Sequence, residues 1–406
     1  MRRQLVTVIL VTLGFAPLAL TPMDAQQRGA AQSAEAKLHR KGARAIRGQY
    51  IVVFRDDASI ARGDHAAVLG RMNAVLRGRG AMPEHVYADA IRGFSATMSE
   101  QDALAIAADP SVAFVEEDAV MEAFVTQNNA TWGLDRIDQR NRPLSTTYTY
   151  TRTGSGVTAY VIDTGIRRTH TQFGGRAVHG FTAINDGRGS LDCNGHGTHV
   201  AGTIGGSTYG VAKQVRLVAV RVLSCSGSGS TSGVISGVNF VSNNHALGAP
   251  AVANMSLGGG ISSALDTAVN NSINDGVTYA VAAGNSNANA GNFSPARVAA
   301  AITVGSSTIT DARSSFSNFG GVVDIFAPGS SITSAWSTSD TATRTISGTS
   351  MATPHVAGVA ARYLQGNPGA SPGTVRTAIV GDATLNVLTG IPSGTANRLL
   401  FRAGTN

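Results

Sequence analysis

After Glu122 the chain contains no glutamate, and Lys213 is the only lysine that follows it. Charged residues make up 14% of the 406 and aromatic ones 6%. There is no basic run and no cluster of aromatics. A nucleic-acid groove needs both a positive track and stacking platforms. The net charge of +7 is therefore read as scattered surface arginines, with no nucleic-acid partner expected. Cysteine is nearly missing, with only Cys193 and Cys225 present. That excludes a disulfide-built scaffold and a multi-cysteine metal cluster. Beyond the N-terminus no stretch is long and apolar enough to span a bilayer. No internal repeat at solenoid spacing is present.

Glycine, by contrast, is abundant at 48 residues, which suits a fold with many tight turns. The N-terminus reads as an export signal. Arg2 and Arg3 precede an apolar run from Leu5 to Leu20, and Ala25 is a small residue at the expected cut. Residues 1–25 are expected to be a signal peptide, giving a secreted, soluble and monomeric protein with no membrane anchor. In an exported chain two cysteines most simply pair, Cys193 with Cys225.

Two textures follow the signal. Residues 26–47 are rich in Ala, Gln and basic residues and read as a flexible lead. From Gly48 the pattern predicts a strand (GQYIVVF), a helix over Ala58 to Leu76, and strand material in VYADAIRGFSATM broken by Gly93. A short helix over Glu100 to Ala108 and a last strand or two in VAFVEEDAVMEAF complete the order. This βαββαβ-like order predicts a compact α+β unit. Val125 to Thr131 is polar and expected to be exposed. Beyond it, VTAYVI, LVAVRVL, AVANMSL, TYAVAA, AAITVG and VVDIFA alternate with helical stretches such as SGVISGVNFVSNNHA and SALDTAVNNSIND. Near-continuous apolar strands alternating with helices predict a parallel α/β sheet covered on both faces. Such sheets build their sites at the carboxyl ends of strands.

Four polar residues fall at such ends. Asp163 ends VTAYVIDTG, where a buried carboxylate needs a partner; alone it reads as a turn cap. His196 and His199 enter a helix in DCNGHGTHVAGTIGG. Their spacing of three and the missing Glu do not match a zinc-protease pair. A His at a helix start facing a buried carboxylate fits a general base. Asn285 follows Gly284 in AVAAGNSN; beside a nucleophile its amide would serve an oxyanion. Ser350 sits in GTSMATPHVAGVAA at a helix N-terminus, where a serine alone is usually a cap. Pro354 suits a first helical turn. The order Asp, His, Ser is one of the known triad orders.

With those blocks in hand, the chain from about Trp132 to Leu400 resembles subtilisin-like serine proteases. The likeness is to the proteinase K branch, and within it to the aqualysin-like group. WGLDRIDQR, YVIDTGI, VRVLSCSGSGSTSGV, NMSLGGG and SGTSMATPHVAG carry it with the motifs above. Residues 48–124 resemble the inhibitor-type propeptide of such enzymes. The resemblance implies a three-layer α/β catalytic domain with a mainly parallel central sheet over 125–406. Before it, at 26–124, it implies a small α+β ferredoxin-like propeptide. It further implies a secreted serine endopeptidase made as an autoprocessed zymogen. Asp163, His196 and Ser350 would be the triad, and Asn285 would lie in the oxyanion hole, with His199 a packing residue. Gly227, Ser228 and Gly229, with Ser256, Leu257 and Gly258, would flank a peptide substrate. Ala282, Ala283 and Gly284 would shape a first pocket for apolar or aromatic side chains. Self-cleavage is expected at Phe124–Val125, leaving the propeptide as chaperone and inhibitor.

Calcium is also implied by the resemblance, at one site from Asp324 with the Ala299 and Ala301 carbonyls. A second would start with Asp135, Asp138 and Gln139, although Ser145 and Thr147 stand where the group has an acidic and an amide ligand. A second bridge found in close relatives is replaced by Gly291 and Val322. Two other functions compete: a catalytically dead peptide binder, and an esterase. The intact set of four residues argues against the first. The absence of G-x-S-x-G and of the order Ser, Asp, His argues against the second.

Overall fold

Alternation shapes one part of the chain and continuous burial the other. The computed structural model describes residues 32–42, 45–56, 60–121 and 124–402. The chain divides into two compact units, Met1–Met121 and Glu122–Asn406. The expected signal peptide lies outside the described residues. Among those described, no helix is long and apolar enough to cross a membrane.

In the first unit, residues 32–37 form α1. Then come β1 (Leu38–His39), β2 (Ala45–Phe54), α2 (His65–Leu76), β3 (Met82–Tyr87), β4 (Gly93–Thr97), α3 (Glu100–Ala107) and β5 (Val112–Ala119). The sheet order is β1-β5-β2-β4-β3. From β2 onward this is a βαββαβ unit of ferredoxin-like order, antiparallel apart from β1 on β5. Tyr50, Val52 and Phe54 alternate inward from β2 and share a core with Val68, Met72, Ile106 and Val115.

Three details differ from expectation. The lead is structured from residue 32, because Ala34 and Leu38 bury in that core. The Lys37 ammonium also donates to the Asp109 and Val112 carbonyls. Helix α2 starts at His65 rather than Ala58, since Gly63 turns at φ +80° and Asp64 accepts the Ala67 N–H as N-cap. Gly93 does not break a strand. It opens β4, where a Cβ would lie 2.1 Å from the Val52 carbonyl oxygen.

The second unit begins with β6 (Val125–Asn128), α4 (Trp132–Ile137), β7 (Thr147–Tyr150), β8 (Thr158–Asp163), β9 (Ala177–Thr182) and α5 (His196–Gly205). It continues with β10 (Arg216–Arg221), α6 (Thr231–Asn244), β11 (Ala251–Met255), α7 (Ser263–Asn274), β12 (Thr278–Ala282), β13 (Ile302–Ser307) and β14 (Ile325–Pro328). It ends with β15 (Ile332–Ala335), β16 (Thr343–Ile346), α8 (Thr349–Gly366), α9 (Pro372–Asp382), β17 (Thr384–Leu385) and β18 (Arg398–Leu399). The polar stretch from Val125 is mostly exposed over Val125–Asn128, as expected, and forms β6, which pairs with β7.

Nine strands form one sheet in the order β17-β18-β14-β13-β12-β11-β8-β10-β9. All neighbours are parallel apart from β17 and β18. Every residue of β11, β12, β13 and β14 is buried, as two covered faces require. Helices α5 and α8 share a core with one face, and α6 and α7 with the other. This gives three layers. After β10 the chain crosses back to the far side of β8, so β8 and β11 flank a topological switch point, the place where such sheets bind ligands.

Candidate active site

At the switch point β8 ends in Asp163, which is fully buried. Its Oδ1 accepts from His196 Nδ1 at 2.7 Å and from the Thr164 N–H at 2.7 Å. His196 is the first residue of α5. Gly195 at the N-cap has φ +109°, and a Cβ there would lie 2.3 Å from the Trp336 ring. A side-chain N-cap is thus excluded, and the first three N–H groups of α5 find other acceptors. Asn194 Oδ1 takes that of His196, Thr164 Oγ1 that of Gly197, and Asp192 Oδ2 that of Thr198. Burial works against charge on His196, but the Asp163 carboxylate, with Asp192 adding to it, holds its pKa above the ordinary value. His199 is buried too, and its Nε2–H lies between the Ile332 and Arg344 carbonyl oxygens at 3.0 and 3.1 Å. It ties α5 to the β15–β16 hairpin and does not face Asp163.

Ser350 is the second residue of α8. Pro354 is the sixth, beyond the first turn where it was expected. Its missing N–H leaves the Ser350 carbonyl without its i+4 donor. Ser256 Oγ fills that gap at 2.9 Å, and Ser350 Oγ donates back to the Ser256 carbonyl at 3.1 Å. Asn254 Nδ2 in turn donates to Ser256 Oγ at 2.8 Å. The end of β11 and the start of α8 are so clamped together. Asn285 follows β12, and its Oδ1 accepts both the Thr349 N–H at 2.8 Å and the Thr349 hydroxyl at 2.9 Å. Two donors on the oxygen fix the amide's orientation and leave Nδ2 as the end available to a ligand. Gly284 has φ +101°, with Asn318 Nδ2 only 2.4 Å from where a Cβ would be. Buried Asn318 donates to the Ala283 carbonyl and accepts from the Ser286 and Ala288 N–H groups, so it shapes the loop that carries Asn285.

Two cavities meet here. One, of about 420 Å³, is lined by His196, Gly227, Ser228, Gly229, Ser256 and Leu257, among others. The second, of about 350 Å³, is lined by Ala282, Ala283, Gly284, Asn285, Phe293 and Ser350. Both share Leu257 and Gly258, and no carboxylate or ammonium lines either. Cys193 and Cys225 form a disulfide with Cα atoms 5.0 Å apart. It ties the segment before His196 to the Gly227 loop. The buried Arg221 guanidinium lies 3.3 Å from Cys193 Sγ while forking onto Asp186. A Cβ at Gly291 would lie 3.9 Å from Val322 Cγ1, so those two positions are neighbours without a bridge.

The two expected calcium loci differ. Asp324 Oδ2 accepts the Thr303 N–H, and Oδ1 takes the Arg376 guanidinium of α9. That cation already neutralises the carboxylate, so Asp324 with Ala299 and Ala301 does not fit a calcium ion beside it. Asp138 fits better. Its Oδ2 accepts the Thr149 N–H, while Oδ1 is buried without a partner. Burial, with Asp135 nearby, pushes its pKa up to about 6. Asp135 accepts from Ser145 and Thr146, and the Gln139 amide nitrogen donates to the Asn141 and Pro143 carbonyls. An orphaned buried carboxylate oxygen beside a second carboxylate is the donor set a hard cation takes.

Asp192, Thr164, Asn254 and Asn318 escaped the sequence reading. Asp192 alone left a signal, as an acidic residue four before His196 in DCNGH.

Residues 154–404 match the family model described as the Subtilase family, and residues 49–124 match Peptidase inhibitor I9. The chain is 55% identical over 370 residues to an extracellular serine proteinase of Thermus sp. (strain Rt41A), covering 88% of this chain and 90% of that one. It is 53% identical over 366 residues to alkaline serine exoprotease A of Vibrio alginolyticus, covering 88% and 68% of the two. The crystal structure of a cold adapted subtilisin-like serine proteinase matches with a TM-score of 0.65 at 60% identity, covering 68% of this chain and 98% of that one. With the family model covering most of the chain and relatives more than half identical to it, the chain belongs to the subtilase family of serine proteases.

Proposed function

We propose that the protein is a secreted serine endopeptidase, made as a zymogen, that cleaves polypeptides of broad sequence through an acyl-enzyme. The observation that carries this is the Asp163–His196 pair at 2.7 Å beside Ser350 and an Asn285 amide whose oxygen is already occupied. Ser350 Oγ, now donating to the Ser256 carbonyl, turns about χ1 toward His196 and attacks the scissile carbonyl. His196 Nε2 takes the proton while Asp163 holds Nδ1–H and stabilises the imidazolium. The oxyanion is met by Asn285 Nδ2 and by the Ser350 N–H, one of the N-terminal donors that α8 leaves without an intrahelical acceptor. His196 then protonates the leaving amine, and water resolves the acyl-enzyme by the reverse path.

Backbone of Gly227–Gly229 and Ser256–Gly258 would pair with an extended substrate, giving affinity without reading sequence. The pocket walled by Ala282, Ala283, Gly284 and Phe293 has no charge, which favours apolar or aromatic residues before the cut. Export is supported by the N-terminal pattern and by the extracellular relative in Thermus. Residues 26–124 act as chaperone and inhibitor, and the enzyme cuts itself at or within about three residues of Phe124–Val125. Asp135, Asp138 and Gln139 would hold a structural calcium whose charge offsets the buried carboxylates.

Casein hydrolysis tests the reading. The wild type should degrade casein and start near Val125. Ser350→Ala should be inactive and accumulate uncut. Processing of Ser350→Ala at the same bond in a protease-free refolding would refute self-cleavage. Wild-type esterase activity without casein hydrolysis would refute the endopeptidase.

A further inference from the structure

We infer that Asp192 is a positioning residue for the reaction, a second buried carboxylate that acts on His196 through the first turn of α5. The inference rests on the triad reading above and adds a member that touches neither substrate nor the reacting atoms. Asp192 is 4% exposed, and its carboxylate accepts five hydrogen bonds. Oδ1 takes Thr164 Oγ1, Asn194 N and Gly195 N, each at 2.9 Å. Oδ2 takes Thr198 N at 2.9 Å and Thr198 Oγ1 at 2.6 Å.

These donors make a chain that leads to the catalytic pair from two sides. On one side Thr164 Oγ1 donates to Asp192 and accepts the Gly197 N–H, while the Thr164 N–H donates to Asp163 Oδ1. On the other, Asn194 and Gly195 immediately precede His196, and Thr198 follows it by two. Gly195 has no side chain to cap the helix, so Asp192 supplies the cap from three residues upstream. A carboxylate at a helix start also opposes the positive end of the helix dipole. The position of the imidazole against Asp163 is thereby set by Asp192 as well as by the Asp163 contact itself.

Few other charges face His196. Asp163 comes from β8, and His199 lies one turn along α5. On β10 the charged end is Arg221, held by Asp186. α8 carries His355, which burial keeps neutral with a pKa of about 4, and the buried Arg362, which donates to the Tyr148 hydroxyl. β15 contributes no charged side chain, and His196 is itself the only titratable residue lining the cavity in front of it. Removal of the Asp192 charge therefore takes away one of two anions that favour the imidazolium.

The test is Asp192→Asn in the processed enzyme, with rates taken per active site titrated by a covalent serine-directed inhibitor. An amide cannot accept all five donors, so kcat should fall on the order of 10–100-fold, the scale seen when the partner that orients a metal-bound histidine is lost, with KM within about twofold. The acid limb of kcat/KM, which reports the histidine of the free enzyme, should move to lower pH by about half a unit. Thr164→Val keeps the charge and breaks the bridge. It should lower kcat and leave the acid limb in place. A merely structural role would lower the titrated fraction and leave kcat per site and the limb unmoved, and that result overturns the proposal. Should Asp192→Asn yield no folded enzyme, Asp192→Ser, whose hydroxyl still accepts one N–H, is read the same way. If neither folds, normal kcat in Thr164→Val overturns the proposal and a reduced kcat with unchanged KM supports it. An inactive wild type would instead sink the triad reading.

Discussion

The two units handle charge in opposite ways. The first is antiparallel apart from β1, with one face of its sheet in the core and acidic residues such as Glu116, Glu117 and Asp118 along β5. Its ion pairs, such as Arg40 with Glu35 and Glu100, are exposed, and pairs of that kind add little to stability. The second has a parallel sheet with most of its strands buried on both faces, no glutamate after Glu122, and polar groups taken inside. Arg136 holds Asp311, Arg221 holds Asp186, and Asp163 holds His196. These three pairs each give a buried charge an opposite partner, because an unpaired one would be costly. The difference teaches where to look for chemistry: among the described residues, only the second unit gathers buried titratable groups at the ends of strands.

The largest effect expected from that contrast is on turnover. Ser350→Ala or His196→Ala, folded with the propeptide supplied in trans, should lose about 10⁶-fold in kcat, the scale known for subtilisin, a relative. Near-normal casein hydrolysis by either variant would break the comparison at its root. Next is the crosslink, which only the second unit has. Cys193→Ser with Cys225→Ser should cost roughly 3–4 kcal/mol on the chain-entropy model, read from denaturant unfolding of inhibited enzyme.

Buried histidines sharpen the comparison further. Burial lowers His199 and His355 to about 4, against about 6.5 in an unfolded chain. Between those values the unfolded state binds more protons, so stability falls as pH drops through that window, by roughly 3 kcal/mol per histidine at most. His196, with its raised pKa, opposes this by a stabilisation that is lost as pH rises through its folded value. Thermal melts from pH 7 to 4 should show the loss, and His355→Asn should flatten it. A melt independent of pH in this range would contradict the buried neutral assignment. The smallest effect is the cation. Chelation should shorten the thermal half-life of wild type, and Asp138→Asn should remove most of that sensitivity, whereas Asp324→Asn should leave it in place. Equal inactivation rates with and without chelator would count against calcium at Asp138.

Much of this was legible in the residues. Strands buried on two faces announce themselves as β-branched runs, so β8, β10, β11, β12, β13 and β14 were all anticipated. Asp163 and Asn285 stood out as polar residues just past two of those runs, and His196 and Ser350 as polar residues at the starts of apolar helices. What stayed hidden depends on distant partners. Thr164 and Asn318 carry no local sign of a role until the fold brings Asp192 and the Asn285 loop to them. Arg376 carries no local sign that it will meet Asp324, more than fifty residues away in sequence. β9 and the β15–β16 hairpin mix polar and apolar residues too evenly for periodicity to reveal them. The lead before Gly48 looked loose because its charge hides two small apolar contacts, Ala34 and Leu38.

The most direct test of the central claim is covalent labelling of the processed enzyme with a serine-directed phosphonylating reagent, followed by mass mapping. The account predicts one adduct per chain, on the peptide containing Ser350, formed in step with loss of casein hydrolysis and suppressed in His196→Ala. An adduct on another residue, or full activity remaining after Ser350 is labelled, would contradict it.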